Sequence, residues 1–140
     1  MTKLLSLTHI TKDQYLSASR LWEITGVGNP ARGDSLKAVR QTLQHGGRLV
    51  LLYEEDTMAG TVWLTHDFRR LYVHHMAVHP DYQNRGCGKA LLQEALRYAR
   101  VLGLQAKLEV NADNAAALTL YGNSGFVMLD GYKVMIKRDI

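Results

Sequence analysis

Apolar residues recur along the chain with two periods, and the switches between them predict its elements. Leu4–Ile10 alternates apolar and polar positions, as a first strand does. Thr11 and Gln14 stand at capping-box spacing and open a helix carrying Tyr15, Ala18, Leu21 and Trp22. Gly26, Gly28, Asn29 and Pro30 end it in a loop. Asp34 or Ser35 caps a second helix, with Leu36, Val39 and Leu43 on one side and Gly46-Gly47 as its stop. Arg48–Glu54 reads as a buried strand, Glu55-Asp56-Thr57-Met58 as a hairpin turn, and Gly60–His66 as the returning strand. Leu71–Val78 is a further strand, closed by His79-Pro80. A long helix runs from about Gly88 to Leu102, with Leu91, Leu92, Ala95, Leu96 and Ala99 at helical spacing. Gln105–Val110 is the next strand, Ala115–Asn123 the last helix, and Phe126–Leu129 with Lys133–Lys137 a closing hairpin. The predicted order is βααβββαβαββ, a mixed α/β (α+β) fold. With no repeat and no low-complexity linker, residues 1–140 are expected to form a single domain.

Composition narrows the function classes. Hydrophobic residues make up 46% and charged residues 21%, an ordinary globular balance. The net charge of +4 is spread along the chain instead of gathered into the basic stripe of a nucleic-acid binder, but it suits a ligand with several phosphates. The only cysteine is Cys87, which excludes an internal disulfide and a cysteine-based zinc site. No apolar run reaches membrane-span length, and Met1-Thr2-Lys3-Leu4-Leu5 lacks a secretory core. The expectation is a soluble cytoplasmic protein with no membrane, nucleic-acid or metal partner.

The segment from Val78 to Lys89 carries the most chemistry. A strand ends at Val78-His79-Pro80, a loop Asp81-Tyr82-Gln83-Asn84-Arg85-Gly86-Cys87-Gly88 turns, and a long helix begins. The start of a helix leaves backbone N–H groups unpaired and carries partial positive charge, so it favours phosphate. Gly86 and Gly88 allow a pyrophosphate to approach the backbone, while Arg85 and Lys89 add charge. The loop lacks the Gly-Lys-Ser/Thr ending of a P-loop and the third glycine of a dinucleotide fingerprint. Taken alone it fits a phosphate site or a tight turn equally.

Residues Ala77 to Gly88 closely resemble the Gln/Arg-x-x-Gly-x-Gly/Ala pattern of the GCN5-related N-acetyltransferase (GNAT) family. Leu108-Glu109-Val110, Asn114, Ala117, Leu120-Tyr121 and Gly125-Phe126 resemble that family's second signature, most closely in the ribosomal-protein alanine acetyltransferases. The resemblance covers Leu71 to Phe126. It implies a splayed, mostly antiparallel central sheet with helices on both faces, and acetyl-CoA as cofactor. It further implies that backbone groups of Met76, Ala77 and Val78 pair with the pantetheine arm. Gln83, Asn84, Arg85, Gly86, Cys87, Gly88 and Lys89 would hold the pyrophosphate, Asn114 would contact the cofactor, and Tyr121 would sit beside its sulfur.

Acetyl transfer to an amine needs a deprotonated amine, a polarised thioester carbonyl and a proton for the departing thiolate. Tyr121 is the expected acid. For the base, Glu109 matches the glutamate of the alanine acetyltransferases, His74 matches a histidine of arylalkylamine-acetylating relatives, and solvent is the third option. Strand alternation places His74 and His75 on opposite faces, and His75 is expected to be a hydrogen-bonded sheet histidine. The acceptor pocket is expected near Trp22, Thr25–Asp34, Trp63, Asp67–Arg70 and Tyr72, with Trp63 as core. The function expected is N-acetylation of a primary amine on a small molecule or peptide N-terminus by direct attack on the thioester, in a protein that by family analogy forms a homodimer. The alternative is a non-catalytic acyl-CoA-binding sensor or interaction module.

Overall fold

A computed structural model describes residues 1–140. Its order is β1 (Thr2–Leu7), α1 (Lys12–Thr25), α2 (Leu36–Gln44), β2 (Arg48–Glu54), β3 (Thr57–His66), β4 (Arg70–Val78), α3 (Cys87–Leu102), β5 (Gln105–Leu108) and α4 (Ala115–Asn123). Short 3-10 turns at Pro30–Arg32 and Pro80–Tyr82 precede α2 and α3. The predicted caps form: Thr11 and Gln14 make the reciprocal capping box of α1. Ser35, not Asp34, caps α2 by accepting from the Ala38 N–H.

The packing divides into two units, Met1–Glu109 and Val110–Ile140. The first is built on a five-stranded sheet in the order β1-β2-β3-β4-β5. Its first three pairings are antiparallel and β4–β5 is parallel. Because alternate residues of β2 and β3 point to opposite faces, the sheet feeds two cores. Val50, Leu52, Val62 and Leu64 pack under Leu91, Ala95 and Tyr98 of α3. Leu49, Leu51 and Trp63 pack under Ala18, Leu21 and Trp22 of α1 and Val39 and Leu43 of α2. The mixed sheet with helices on both faces is the expected fold class. β4 and β5 pair only from Arg70↔Gln105 to Val73↔Leu108, and β4 then continues to Val78 paired with β3 alone. That separation is the splay. It sets an unpaired strand edge directly before the loop into α3.

In the second unit α4 is capped by Asn114 at its start and Ser124 at its end. The closing hairpin of the sequence reading does not form: Asp130 and Gly131 turn, but no strand lies between Phe126 and Lys137. The physical reason is exposure. Val127, Met128, Leu129, Val134, Met135 and Ile136 are each more than 60% exposed, and an isolated two-stranded hairpin without a buried face is at best marginal. No helix is long and apolar enough to cross a membrane.

Candidate active site

The loop between β4 and α3 is built to leave amides free. His79 Nδ1 accepts from the Asp81 N–H at 3.1 Å, which winds the chain into the Pro80–Tyr82 turn. The Gln83 side-chain amide donates to Val78 O at 3.0 Å and ties the loop back to the end of β4. Asn84 (φ 63°) and Gly86 (φ 83°) then take left-handed conformations, and Gly86 is the N-cap of α3 without a side-chain cap. The first α3 amide to bond back is that of Ala90, to Gly86 O at 3.0 Å, so the N–H groups of Cys87, Gly88 and Lys89 have no intrahelical acceptor.

A Cβ placed on Gly86 would meet nothing within 4 Å, so the space before these amides is open. Arg85 stacks on the Tyr82 ring at 5.3 Å, and Arg85 and Lys89 are both exposed. A diphosphate fits this donor set: three amides, a helix dipole and two cations. Cys87 differs from the expectation for it, because its side chain turns inward and packs in the core under α3. It brings a backbone amide to the cradle and no thiol; burial pushes that thiol's pKa up.

At the fork the strand itself is irregular. Trp63 pairs with His74 and Thr61 with Ala77, so Val62 alone faces His75 and Met76. This is a β-bulge, and His75 absorbs it with φ 50°, a conformation uncommon for a residue other than glycine. The bulge inverts the phase of the strand. Leu71 and Val73 face α3, and so do Met76 and Val78, whereas Ala77 joins the core under α1. His74 and His75 consequently share one face, and both rings contact Trp63, at 5.9 and 5.2 Å. The expectation that they point to opposite faces is corrected by this extra residue.

Their environments differ. His74 Nε2 lies 2.9 Å from Thr65 Oγ1, and burial, helped by the neighbouring His75, lowers its pKa. His75 Nε2 meets both carboxylate oxygens of Asp34, at 3.0 and 2.9 Å, and its ring sits edge-on to Trp22 at 4.6 Å. The His75 carbonyl accepts from Thr61 Oγ1 at 3.0 Å, and that hydroxyl accepts from Trp22 Nε1 at 2.9 Å. Trp22 and Trp63 stack at 6.0 Å and are core, not pocket lining. Asp67–Arg70 is the β3–β4 turn: Asp67 Oδ1 accepts from the amides of Arg69 and Arg70, and Phe68 is 80% exposed.

Glu109 lies one residue beyond β5, exposed and without a partner. In the second unit, Asn114 is exposed and its Oδ1 accepts from the Ala117 N–H at 3.1 Å, so it caps α4. Tyr121 is buried against Phe126 at 5.8 Å, and burial raises the pKa of its phenol. No group of three His, Cys, Asp or Glu converges as a metal ligand set. Sequence reasoning named Asp34 as a candidate cap and as one end of the expected acceptor loop, but passed over Thr61 and the pairing of Asp34 with His75, whose partners stand 41 positions apart.

A family model described as the acetyltransferase (GNAT) family matches residues 8–126. The N-alpha-acetyltransferase RimI of Mycobacterium tuberculosis is 52% identical over 54 residues, which span 39% of this chain and 33% of that protein. Acetyltransferase SG1711 of Sodalis glossinidius is 27% identical over 128 residues, 90% of this chain and 89% of the relative. Among solved structures, the ribosomal-protein-S18-alanine N-acetyltransferase from Escherichia coli superposes with a TM-score of 0.73 at 25% identity, covering 89% of this chain and 77% of that one.

Proposed function

The chain belongs to the acetyltransferase (GNAT) family, and from that premise we propose that it transfers an acetyl group from acetyl-CoA to a primary amine. The observation that carries the reading is the open turn at Gly86. There a left-handed cap aims the free amides of Cys87, Gly88 and Lys89 away from the helix, beside Arg85 and Lys89. These groups hold the pyrophosphate, and Gln83 and Asn84 shape the loop that presents them. The unpaired edge of β4 at Met76, Ala77 and Val78 pairs with the amide groups of the pantetheine arm, as a strand edge pairs with an incoming chain. Asn114 keeps its Nδ2 for the cofactor. When bound, acetyl-CoA supplies an acetyl group already activated as a thioester.

The residues of this chain supply the proton transfers. Tyr121, kept protonated by burial, donates to the thiolate as the acid. On the base side, His74 stands at the fork and is kept neutral by burial, while Glu109 offers an exposed carboxylate just past β5. The acceptor is an amine of a small molecule or a peptide N-terminus. The family match, running from 8 to 126 across both units, supports one catalytic domain over the chain. We place the protein in the cytoplasm and read the exposed apolar run Val127–Ile136 as the contact of a homodimer.

Calorimetric titration with acetyl-CoA, beside ATP as a control, tests the reading. Stoichiometric binding of acetyl-CoA alone is expected, followed by thiol release with one amine from a panel of an alanine-initiated peptide, a polyamine, an amino sugar and an arylalkylamine. Binding without thiol release from any amine would indicate a sensor. No binding to acetyl-CoA would remove the foundation of the proposal.

A further inference from the structure

Of the two histidines that the bulge brings to one face, the sequence favours His74 for chemistry, and the structure gives His75 the better-built surroundings. A carboxylate can only accept, so the contacts of Asp34 fix the hydrogen of the His75 ring on Nε2. Nδ1 is then the nitrogen with the free lone pair. No protein group bonds to it, and the His75 side chain keeps 16% of its surface exposed while its other contacts hold it in place. Asp34 is 8% exposed and reaches His75 from the loop between α1 and α2, and the Trp22 and Trp63 rings wall the imidazole. The backbone is pinned as well, through the Trp22–Thr61–His75 hydrogen-bond chain. A Cβ on Gly28 would lie 2.3 Å from Asp34 Oδ2 and 2.5 Å from His75 Nε2, so the loop has to carry glycine where it crosses the couple. All of this stands two residues beyond the last β4–β5 pair, Val73↔Leu108, where the sheet opens.

We propose that the Asp34–His75 couple is the proton acceptor of the transfer reaction: His75 Nδ1 takes the proton of the acceptor's ammonium group, and Asp34 is the positioning residue that holds the opposite ring nitrogen. The proposal rests on the acetyl-transfer reading above. The ammonium N–H bond breaks and its proton passes to Nδ1. The freed lone pair forms the new N–C bond as the C–S bond of the thioester breaks. The thiolate takes the proton of the acid, the acid recovers one from the acylated nitrogen, and His75 returns its proton to solvent. The arrangement follows the same logic as other carboxylate–imidazole pairs, in which the acid sets the tautomer and favours the imidazolium as it forms. His74, tied to Thr65 and without a carboxylate, has no such support. The titratable groups near the couple are His74 beside His75 on its own strand and Tyr15 of α1 beside Asp34; β3 contributes Thr61 and Trp63.

The test begins with His75→Gly in the full chain, because glycine accepts φ 50° without strain and leaves room for added imidazole. With an amine that the wild type acetylates, kcat is expected to fall on the order of 10²-fold while acetyl-CoA affinity by calorimetry holds. Imidazole in the buffer should restore part of the turnover, and the acidic limb of the kcat profile should disappear. Asp34→Asn should lower kcat without raising KM, and Asp34→Glu should recover part of the loss. Independently of activity, nitrogen NMR of the free protein should show His75 as the Nε2–H tautomer and lose that signature in Asp34→Asn. Wild-type kcat in His75→Gly, no effect of imidazole, or an acidic limb that vanishes only in His74→Gln would overturn the assignment. Should the wild type acetylate no amine of the panel, the transfer reading fails on its own account, and the couple is then judged by the tautomer measurement, which a mixed or Nδ1–H ring would sink.

Discussion

Burial acts in opposite directions on two of the three side chains that the sequence marked for proton transfer. It pushes the Tyr121 phenol up, so the tyrosine keeps its proton, and it lowers the His74 imidazole, so the histidine stays neutral. Tyr121→Phe removes the donor and little of the packing against Phe126. Turnover is expected to drop about 10²-fold with acetyl-CoA affinity nearly unchanged, read by steady-state kinetics beside calorimetry. For His74 the sign runs the other way on stability. Between its lowered folded value and the ordinary 6.5, the unfolded chain binds a proton that the folded chain refuses. Stability is therefore complete above 6.5 and falls as the pH drops through that window. Thermal melts between pH 7.5 and 5.5 should show the fall, and His74→Gln should flatten it. Tyr121, Glu109 and His74 stand in local motifs, so the sequence marks them as candidates. The Asp34–His75 contact was not marked, because no spacing along the chain encodes that meeting.

Among the elements, the caps and β2 were legible because their signals are local: Thr11 with Gln14, the Gly26 stop, the apolar run Arg48–Glu54; β1, β3 and β5, read as Leu4–Ile10, Gly60–His66 and Gln105–Val110, run Thr2–Leu7, Thr57–His66 and Gln105–Leu108. The bulge in β4 was hidden, since Leu71, Val73 and Ala77 read as one unbroken alternation until the register shows an extra residue beside Val62. The closing hairpin failed for the opposite reason. Asp130 and Gly131 do turn, but a turn alone does not bury the residues on either side. Thr61 is the clamp of the bulge and is fully buried. Thr61→Val leaves Trp22 Nε1 and the His75 carbonyl unpaired, each costing about 1–3 kcal/mol, which urea denaturation can measure. At the start of α3, Gly86→Asp puts a carboxylate into the open space before the free amides and should abolish acetyl-CoA binding. Gly86→Asn bears similar left-handed strain, about 1–2 kcal/mol at most, without the charge. Retained binding in Asn and loss in Asp would separate electrostatics from backbone strain; equal affinity in both would mean that the phosphates lie elsewhere.

Across the whole molecule, order is unevenly supported. In the first unit β2 and β3 are buried on both faces, with Leu49, Val50, Leu51, Leu52, Val62 and Leu64 closed to solvent. In the second unit only Tyr121 is buried. Amide hydrogen exchange is expected to be slowest in those two strands and fastest across residues 124–140, with α4 opening well below the global unfolding free energy. Uniform protection of α4 and β2 would contradict that ranking. Between these extremes stands the chain's one thiol. Cys87 occupies the first position of α3, 5% exposed, with its pKa raised by burial, so in the closed state it is both hidden and poorly nucleophilic. A thiol reagent can reach it only when the first turn of the helix lifts from the sheet. The wild-type protein thus contains its own clock for the opening of the cradle: the labelling rate of Cys87 counts those openings, and a ligand seated on the amides of Cys87, Gly88 and Lys89 would slow it.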